Sequence, residues 1–436
     1  MIRGSAKVIR LALILGLALG LFMSAACKDE SVPAAEPLTT AVADDPQPEE
    51  TSPVAGEEAF SLAAANTAFA FDLYRQLVTE DGNLFFSPYS VSAALAMTLA
   101  GARGETADQI VEMLHFVTGE DAVDAAFADL DAALNGRGAV EAPFEGEGFD
   151  LHVVNAIWPQ IGFALLDTFV DTVTTSYGAG LRTLDYLADP EAARATINDW
   201  VSEQTAEKIQ DLLPQGTIDE GTRLVLTNAI YFNAPWLTPF DPEATTVEPF
   251  TLLGGETVDA QMMHLNESLG IAEWDGGIAV DLPYNGEDLS MLLLVPDEGA
   301  FETFDTSLSA EVFEGIVEDL SWRPVRLGLP RFEFEFAASL VQPLLALGMT
   351  DAFNDERADF SGITGSRDLV ISDVLHKAFV AVDEAGTEAA AATAVVFRAT
   401  GMPIEPIDVT IDRPFLFVIH DRPTGSVLFI GRVLEP

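Results

Sequence analysis

Val382-Asp-Glu-Ala-Gly386-Thr387-Glu-Ala-Ala-Ala-Ala-Thr393-Ala-Val-Val-Phe397 is the segment that most constrains the fold of this 436-residue chain. Its alanine run favours a helix, whereas Gly386 opens the segment and strand-forming residues close it. In an extended conformation the side chains alternate between two faces, so Thr387 and every second residue after it share one face while Glu388 lies on the other. The segment is therefore predicted to be a loop of small residues that can become a β-strand.

The composition excludes some classes of partner. A net charge of -49 argues against binding nucleic acid or an anionic membrane surface, because both require Lys and Arg to replace counterions. The chain has only four lysines, Lys7, Lys28, Lys208 and Lys377. Such acidity is typical of proteins that stay soluble in concentrated salt, and it is equally typical of a lineage-wide compositional habit.

The first 27 residues are predicted to be an export signal. Basic residues precede an apolar run from Leu11 to Met23, which is short for a membrane span, and the run leads to Ser24-Ala-Ala-Cys27. Cys27 is the only cysteine, and its position resembles a bacterial lipoprotein cleavage site, which predicts lipidation at Cys27. The alternative is an ordinary cleaved signal, since Ser24 stands where such sites usually carry Leu.

A linker is predicted after the signal. Residues 28–58 are rich in Pro, Ala, Thr and acidic residues without apolar periodicity, which favours a disordered tether. Residues 59–436 contain no second linker, and one folded domain is the simplest interpretation. Helical patterns cluster early and strand patterns late, which predicts an α+β fold. Helices are predicted over 60–78, 91–99 and 190–204, and strands over 224–232, 289–295, 325–336, 370–382 and 427–433.

Several separated motifs resemble those of the serpin family along nearly the whole folded length. The motifs are Asn83-Leu-Phe-Phe-Ser87-Pro88-Tyr-Ser90, Leu226-Thr-Asn228-Ala-Ile-Tyr-Phe-Asn-Ala-Pro-Trp236, Leu329-Pro-Arg331-Phe, Val374-Leu-His376-Lys377-Ala, the hinge from Gly386 to Thr393, and Val409-Thr-Ile-Asp412-Arg413-Pro414-Phe415-Leu. One departure is Asn233-Ala234-Pro235 before Trp236, where serpins more often carry a turn with Lys-Gly.

The resemblance implies a serpin fold, with a large central mixed β-sheet, two further sheets, about eight or nine helices and an exposed reactive centre loop at about 384–408. It also implies a suicide inhibitor of serine proteases, and of cysteine proteases as a second class. The bait loop is cleaved, stays attached to the protease as an acyl-enzyme and inserts into the central sheet. Hinge residues that would enter first are Glu384, Gly386, Thr387, Glu388, Ala389, Ala390, Ala391, Ala392 and Thr393.

Elementary physics favours the same behaviour. Thr387 to Thr400 is fourteen residues, which as a strand spans about 46 Å, enough to carry a protease far from its docking point. Insertion would form on the order of ten backbone hydrogen bonds at about 1 kcal/mol each, which is comparable with the stability of a whole domain. The uncleaved protein is therefore expected to be metastable. The small, uncharged hinge residues can enter a sheet without the desolvation penalty of a charged side chain.

The bait bond is predicted from the spacing that relatives keep after the hinge glycine. Counting Gly386 as the first residue, the fifteenth is Thr400, so the predicted bond is Thr400-Gly401. A small β-branched residue suits the shallow pocket of an elastase-like or subtilisin-like protease. A shifted register would instead present one of three alternatives: Arg398, Met402 or Phe397.

Two supporting clusters are carried over from the resemblance. A shutter beneath the opening sheet comprises Ser87, Ser90, Asn228 and His376. A breach at the top of the sheet comprises Arg331, Glu384 and Trp236. In the shutter, short polar side chains can exchange hydrogen bonds as strands part. The Arg331–Glu384 pair would tether the hinge, and its simpler interpretation is a surface ion pair worth under about 1 kcal/mol.

No catalytic residue, metal site or cofactor is predicted, because the five histidines are scattered and no phosphate loop or nucleophile elbow occurs. The predicted protein is an exported monomer of the cell envelope or the extracellular space, held to a membrane only by its lipid. Two alternatives remain open at this point. One is a non-inhibitory serpin that acts in binding or as a chaperone, and the other is a hydrolase that uses a Ser-His pair.

Overall fold

A computed structural model describes residues 57–78, 82–116, 120–137, 150–387 and 405–436. The α-helices of these residues are α1 (Glu57–Leu77), α2 (Pro88–Gly101), α3 (Gly104–Met113), α4 (Glu120–Arg137), α5 (Asp167–Ser176), α6 (Pro190–Gln204), α7 (Phe301–Ser307), α8 (Ala310–Glu318), α9 (Val341–Ala346) and α10 (Ser361–Thr364). The strands are β1 (Leu84–Phe86), β2 (Asp150–Pro159), β3 (Gly180–Leu181), β4 (Leu224–Pro235), β5 (Thr246–Thr251), β6 (Thr257–Trp274), β7 (Gly277–Pro283), β8 (Leu289–Pro296), β9 (Ser321–Pro330), β10 (Phe332–Ser339), β11 (Leu375–Val382), β12 (Gly386–Thr387), β13 (Ile407–Thr410), β14 (Phe415–Asp421) and β15 (Val427–Val433). The predicted α+β class is confirmed.

Helix α2 forms where the sequence predicts a capped, apolar helix. Ser87 is the N-cap, and its hydroxyl accepts a hydrogen bond from the backbone N–H of Ser90 at 3.1 Å. Pro88 occupies the first helical position, where a missing N–H costs nothing. Most residues of α2 are buried, so the helix lies inside the main core.

The larger sheet is continuous and contains nine strands. Its order is β1-β15-β14-β8-β7-β6-β9-β13, and β5 pairs with β6. Because the long strand β6 runs from one half of this sheet into the other, the second and third sheets of the predicted fold are joined. Every residue of β8, β14 and β15 is buried, which places the chain's last strands at the centre of the core.

The smaller sheet has the order β10-β11-β12-β4-β2-β3. It is mixed, as predicted, because β2 and β3 are parallel while the other neighbours are antiparallel. One face covers the main core, and the other carries a smaller core beneath α6 that includes Trp158, Ile197 and Val201. The candidate site lies in this sheet.

Two predicted strands need correction. The single strand predicted over 325–336 is two strands, because Pro330 pairs with β6 in one sheet whereas Phe332 pairs with β11 in the other. Proline lacks an N–H donor and commonly ends a strand, and the chain changes sheets at Arg331. The strand predicted from Val370 begins only at Leu375.

Candidate functional site

The hinge begins inside the six-stranded sheet. Gly386 and Thr387 pair with Pro235 and Ala234 of β4, and Thr387 also pairs with Val382 of β11. A Cβ atom at Gly386 would lie 2.1 Å from the backbone oxygen of Ala234, so only glycine fits this close approach. The hinge therefore fills one end of the space between β11 and β4.

Thr387 is enclosed by aromatic residues. Its side chain is buried, and its hydroxyl lies 2.8 Å from the phenol oxygen of Tyr284. The Tyr284 ring stacks on Trp236 with centroids 4.6 Å apart and planes 12° apart. Burial raises the pKa of Tyr284 well above its ordinary value, so the phenol stays protonated and Thr387 meets a neutral hydrogen-bonding group. A charged side chain at this position would find no counterion in Tyr284 or Trp236.

Arg331 and Glu384 meet beside the hinge. Arg331 Nε donates to Glu384 Oε1 at 2.9 Å, and a terminal guanidinium nitrogen contacts the same oxygen. The Thr245 hydroxyl also donates to this carboxylate. Burial of Glu384 opposes ionisation, but the hydrogen bonds from Arg331 and Thr245 outweigh it and lower the pKa of the carboxyl. The ion pair is half open to solvent, since the Arg331 side chain is 43% exposed and that of Glu384 only 7%.

Trp236 fixes the backbone that leads into the hinge. Its indole Nε1 donates to the Asp383 carbonyl at 3.0 Å, and its backbone N–H donates to the Ala385 carbonyl at 2.9 Å. The N–H of Phe240 donates to the Glu384 carbonyl at 2.9 Å. Two of the predicted breach residues, Arg331 and Trp236, therefore contact the short segment that contains the third, Glu384, and these contacts set the path along which β12 enters the sheet.

His376 couples β11 to the start of α2. Its Nε2 accepts a hydrogen bond from the backbone N–H of Ser87 at 3.2 Å, which requires an unprotonated Nε2. Complete burial lowers the pKa of His376 to about 4. The Ser87 hydroxyl donates to the Leu428 carbonyl of β15 at 2.7 Å. One neutral histidine thus joins the two sheets through the cap of a buried helix.

The other shutter residues are placed less completely. Ser90 is fully buried, and its hydroxyl has no hydrogen-bond partner among the described residues. The backbone of Asn228 pairs with Asn155 in the β4–β2 ladder. Its side chain is not among the described parts of the chain, so its polar role in the shutter stays a prediction. His376 and Val382 are six residues apart on β11, so shutter and breach are separated by about 20 Å along one strand.

A Ser-His-Asp trio that the sequence did not reveal lies in the nine-stranded sheet. Ser290 Oγ is 3.0 Å from His420 Nε2, and Asp281 Oδ1 is 3.8 Å from the same nitrogen. A catalytic triad needs the carboxylate at Nδ1 and the nucleophile at Nε2. All three residues are also almost completely buried, so a substrate has no access. This trio does not support the hydrolase alternative.

Other predicted residues lie outside the described ranges, and nothing in the structure bears on them. They are Cys27, Glu388, Ala389, Ala390, Ala391, Ala392, Thr393, Phe397, Arg398, Thr400, Gly401 and Met402. Among the residues that the structure describes, no group of three or more His, Cys, Asp or Glu side chains is arranged to hold a metal ion. No helix in the same residues has the length and apolarity needed to cross a membrane.

Thr245 and Tyr284 are site residues that the sequence did not predict. Each meets the hinge across more than 100 positions of chain, and neither lies in a motif with a recognisable spacing. Thr245 follows a short 3-10 helix, and Tyr284 follows the end of β7. Only the packing of the nine-stranded sheet against β4 brings them to Glu384 and Thr387.

The fold and site define a class of α+β proteins in which a glycine hinge enters the end of a central sheet. Comparison with known proteins gives the family. A family model described as Serpin (serine protease inhibitor) matches residues 64–436. Human leukocyte elastase inhibitor is 40% identical over 86% of this chain and 99% of its own length. An uncharacterised serpin-like protein of Thermococcus kodakarensis is 40% identical, with 87% of each chain covered. The chain belongs to the serpin family.

Solved structures agree with this assignment. The thermophilic serpin tengpin in its native state matches with a TM-score of 0.76 and 29% identity, covering 88% of this chain and 96% of tengpin. Thyroxine-binding globulin in complex with thyroxine matches with a TM-score of 0.75 and 32% identity, covering 86% and 99%. A loop-inserted, cleaved ovalbumin mutant also scores 0.76, at 27% identity and 86% and 100% coverage. Native and loop-inserted serpins therefore fit this fold equally well.

Proposed function

We propose that this serpin is a suicide inhibitor of elastase-like or subtilisin-like serine proteases. The observation that carries the proposal is the pairing of Gly386 and Thr387 between β11 and β4. These two residues form the first rungs of a strand on the side of β11 where the described residues give no other pair. Insertion of the loop would therefore extend a strand whose first two residues are already paired with β4 and β11.

The proposed reaction begins as ordinary proteolysis. The protease serine oxygen attacks the carbonyl carbon of Thr400, the bond to Gly401 breaks, and the Gly401 amine leaves with a proton, so an ester joins the two proteins. The freed strand then continues from Thr387 down the sheet and carries the protease with it. Inhibition requires this insertion to outrun hydrolysis of the ester by water. Thr387 favours speed because it is small, uncharged and already paired with neutral partners.

The target class rests on the bait residue and on the relatives. Thr400 suits a shallow primary pocket. The 40% identity with human leukocyte elastase inhibitor, whose name states its target class, favours the same class here. Cysteine proteases form the second class of partner, because they also make acyl-enzymes.

The proposed location is the cell envelope or the extracellular space, with lipid attached at Cys27 and residues 28–58 serving as a tether. The motif at the end of the apolar N-terminal run supports this part of the proposal. A Cys27→Ala variant should lose its partition into detergent. A variant that still partitions would contradict the lipoprotein assignment.

Incubation of the purified protein with pancreatic elastase and with subtilisin tests the inhibitory mechanism. An SDS-stable band of summed mass is expected, together with a C-terminal fragment that begins at Gly401. A fragment that begins at Ala399 or at Pro403 would move the bait residue to Arg398 or Met402. Loop cleavage without any complex would contradict inhibition and favour the alternative function, a non-inhibitory serpin that acts in binding. The similarity to thyroxine-binding globulin, a serpin-like structure solved with bound thyroxine, supports that alternative.

A further inference from the structure

The six-stranded sheet ends at β3, and the chain beyond β3 continues along the same side of β2. The N–H of Arg182 donates to the Ile157 carbonyl at 2.9 Å, and the N–H of Leu184 donates to the Pro159 carbonyl at 3.1 Å. We call residues 180–184 the outer edge. They form the last segment on this side of the sheet, because β3 pairs with β2 alone in the described part of the chain.

The backbone of the outer edge has open hydrogen-bonding groups. In a parallel pair, alternate residues direct their N–H and C=O groups toward the neighbouring strand, and the residues between them direct theirs away. Arg182 and Leu184 bond to β2, so the backbone groups of Leu181 and Thr183 point outward. Both residues are exposed, and no backbone partner for them occurs among the described residues. The outer edge can therefore accept a further strand.

Arg182 is held between two indole rings on one face of the outer edge. Its guanidinium carbon lies 5.8 Å from the ring centroid of Trp158 on β2 and 5.2 Å from that of Trp200 on α6. The two indoles are in edge contact, with centroids 5.2 Å apart and planes 77° apart. A guanidinium oriented in this way loses little conformational freedom when it binds a carboxylate.

This guanidinium has no carboxylate partner within the described ranges, although the side chain of Arg182 is exposed. Carboxylates are not scarce, since the chain has 70 acidic and 21 basic residues. The contacts with the two indoles, and not a lack of acidic residues, therefore leave Arg182 unpaired. A carboxylate of another molecule could form the ion pair that the chain itself does not supply.

Exposed apolar side chains surround the outer edge. Leu181 is 45% exposed, Leu187 55% and Ile161 59%. The N–H of Ile161 donates to the Leu184 carbonyl at 2.7 Å, which keeps Ile161 beside the outer edge. Successive side chains of a strand point to opposite faces, so Leu181 lies on the face opposite to Arg182. The outer edge thus presents a cation on one face and an apolar side chain on the other.

These features favour pairing over protection. A charge that only prevents unwanted pairing at a sheet edge needs no fixed orientation, and exposed apolar neighbours work against that role. We propose that the outer edge binds an extended segment of another protein in which acidic and apolar residues alternate. The backbone of this segment pairs with Leu181 and Thr183, its acidic side chains face Arg182, and its apolar side chains lie on the face of Leu181.

A synthetic peptide tests the proposal on the full chain. The probe is an acetylated and amidated peptide in which Val and Asp alternate over seven residues, and its binding is measured by calorimetry. The salt concentration is about 0.15 M, because the net charge of the protein is then screened beyond about 8 Å while the contact with Arg182 is not. The probe is expected to bind, and the same peptide with Asn in place of Asp is expected to bind about tenfold more weakly.

Variants of the outer edge locate the binding site. Arg182→Met removes the charge and should weaken binding of the acidic probe about tenfold, whereas Arg182→Lys keeps the charge without the planar fork and should lie between. Thr183→Pro removes an outward N–H and should weaken binding of both peptides. Arg323→Met is the matched control, because it removes one positive charge from an exposed pair with Glu273 in the other sheet. Its affinity and the Tm of all variants should equal those of the unchanged protein.

Each outcome decides for or against the outer edge. No binding of the acidic probe by the unchanged protein overturns the proposal, and so does equal binding of the Asp and Asn peptides. Binding that Arg182→Met and Thr183→Pro leave unchanged also overturns it, because the peptide then pairs elsewhere, for example beside β11. Weaker binding by both variants at an unchanged Tm supports the proposal. None of these results depends on protease inhibition, so the two proposals can fail separately.

Discussion

Strands β14 and β11 both lie inside their sheets, with a neighbouring strand on each side, yet they are built differently. β14 is buried at every residue and pairs over six positions with β15 on one side and over six with β8 on the other. β11 pairs over eight positions with β10, but on its other side the described residues give it one pair, Thr387 with Val382. β11 also alternates between buried and half-buried residues.

In the nine-stranded sheet, the central strand β14 is fully paired on both sides. In the six-stranded sheet, β11 is fully paired on one side only, so this sheet can accept a strand. The nine-stranded sheet supplies a rigid body, since its central strands have no free side. The six-stranded sheet covers the main core with one face, and the breach and the shutter add specific polar contacts to the nine-stranded sheet. Substitutions in the nine-stranded sheet should therefore alter the stability of the protein alone. Substitutions beside β11 should alter both its stability and the rate of strand insertion.

Thr387→Arg should give the largest effect. The guanidinium would be buried between Tyr284 and β11 without a counterion, at a cost of several kcal/mol. Strand insertion should slow by more than about tenfold, so the protease cleaves the loop and escapes. The ratio of SDS-stable complex to cleaved serpin on a gel measures this change.

Thr387→Ser is the matched control, because it keeps the hydroxyl and adds no charge. It should form complex as the unchanged protein does. Undiminished complex formation by Thr387→Arg would show that the start of β12 does not limit insertion.

Acidification should weaken the shutter. The folded-state pKa of His376, about 4, lies below its ordinary value of 6.5, so the unfolded state binds the extra proton first. The stabilisation is complete above pH 6.5 and is lost as the pH falls toward 4, by about 3 kcal/mol in total. Urea unfolding at several pH values should show this loss, and His376→Gln should flatten the curve over the same range. Parallel curves for the two proteins would assign the pH dependence to other groups.

Gly386→Ala tests the close approach at the hinge. Its Cβ would meet the Ala234 carbonyl oxygen, and either the sheet shifts or β12 leaves it, at a cost of about 2 kcal/mol in unfolding free energy. Gly315→Ala is the matched control, because a Cβ at this position of α8 meets nothing within 4 Å. The control should be neutral or slightly stabilising. Equal stabilities for the two variants would show that the hinge pairing is weak.

Arg331→Met should give the smallest effect. The ion pair with Glu384 is partly open to solvent, so the variant should lose only about 1 kcal/mol in urea unfolding. The Glu384 pKa is lowered in the folded protein, so this contribution is present above the ordinary carboxyl range and is lost as the pH falls. An unchanged midpoint at both pH 7 and pH 4 would assign hinge fixation to Trp236 and Thr245 instead.

Local signals in the sequence predicted the features that depend on neighbouring residues. The Ser87-Pro88 cap predicted the start of α2, and the apolar spacing after Asp189 predicted α6 at its observed bounds. The hinge was predicted as a loop able to become a strand, and its first two residues are a strand in the structure. Each of these signals lies within a few residues of the feature that it predicts.

Features that depend on distant contacts were not predicted. The change of sheet at Arg331 depends on which partner each side of Pro330 finds, and both partners lie far along the chain. The enclosure of Thr387 by Tyr284 spans 103 positions. The positive φ angles of Ala206 and Glu207 were not predicted either, because both residue types are ordinary helix formers.

The burial of β14 and β15 at the centre of the larger sheet has a consequence for biosynthesis. More than 400 residues must be translated before Phe415 to Val433 can fill that position. Until then β8 and β1 lack the neighbours that bury them, and the nascent chain has no complete core on which to fold. Such a chain stays accessible to chaperones until nearly the end of its synthesis.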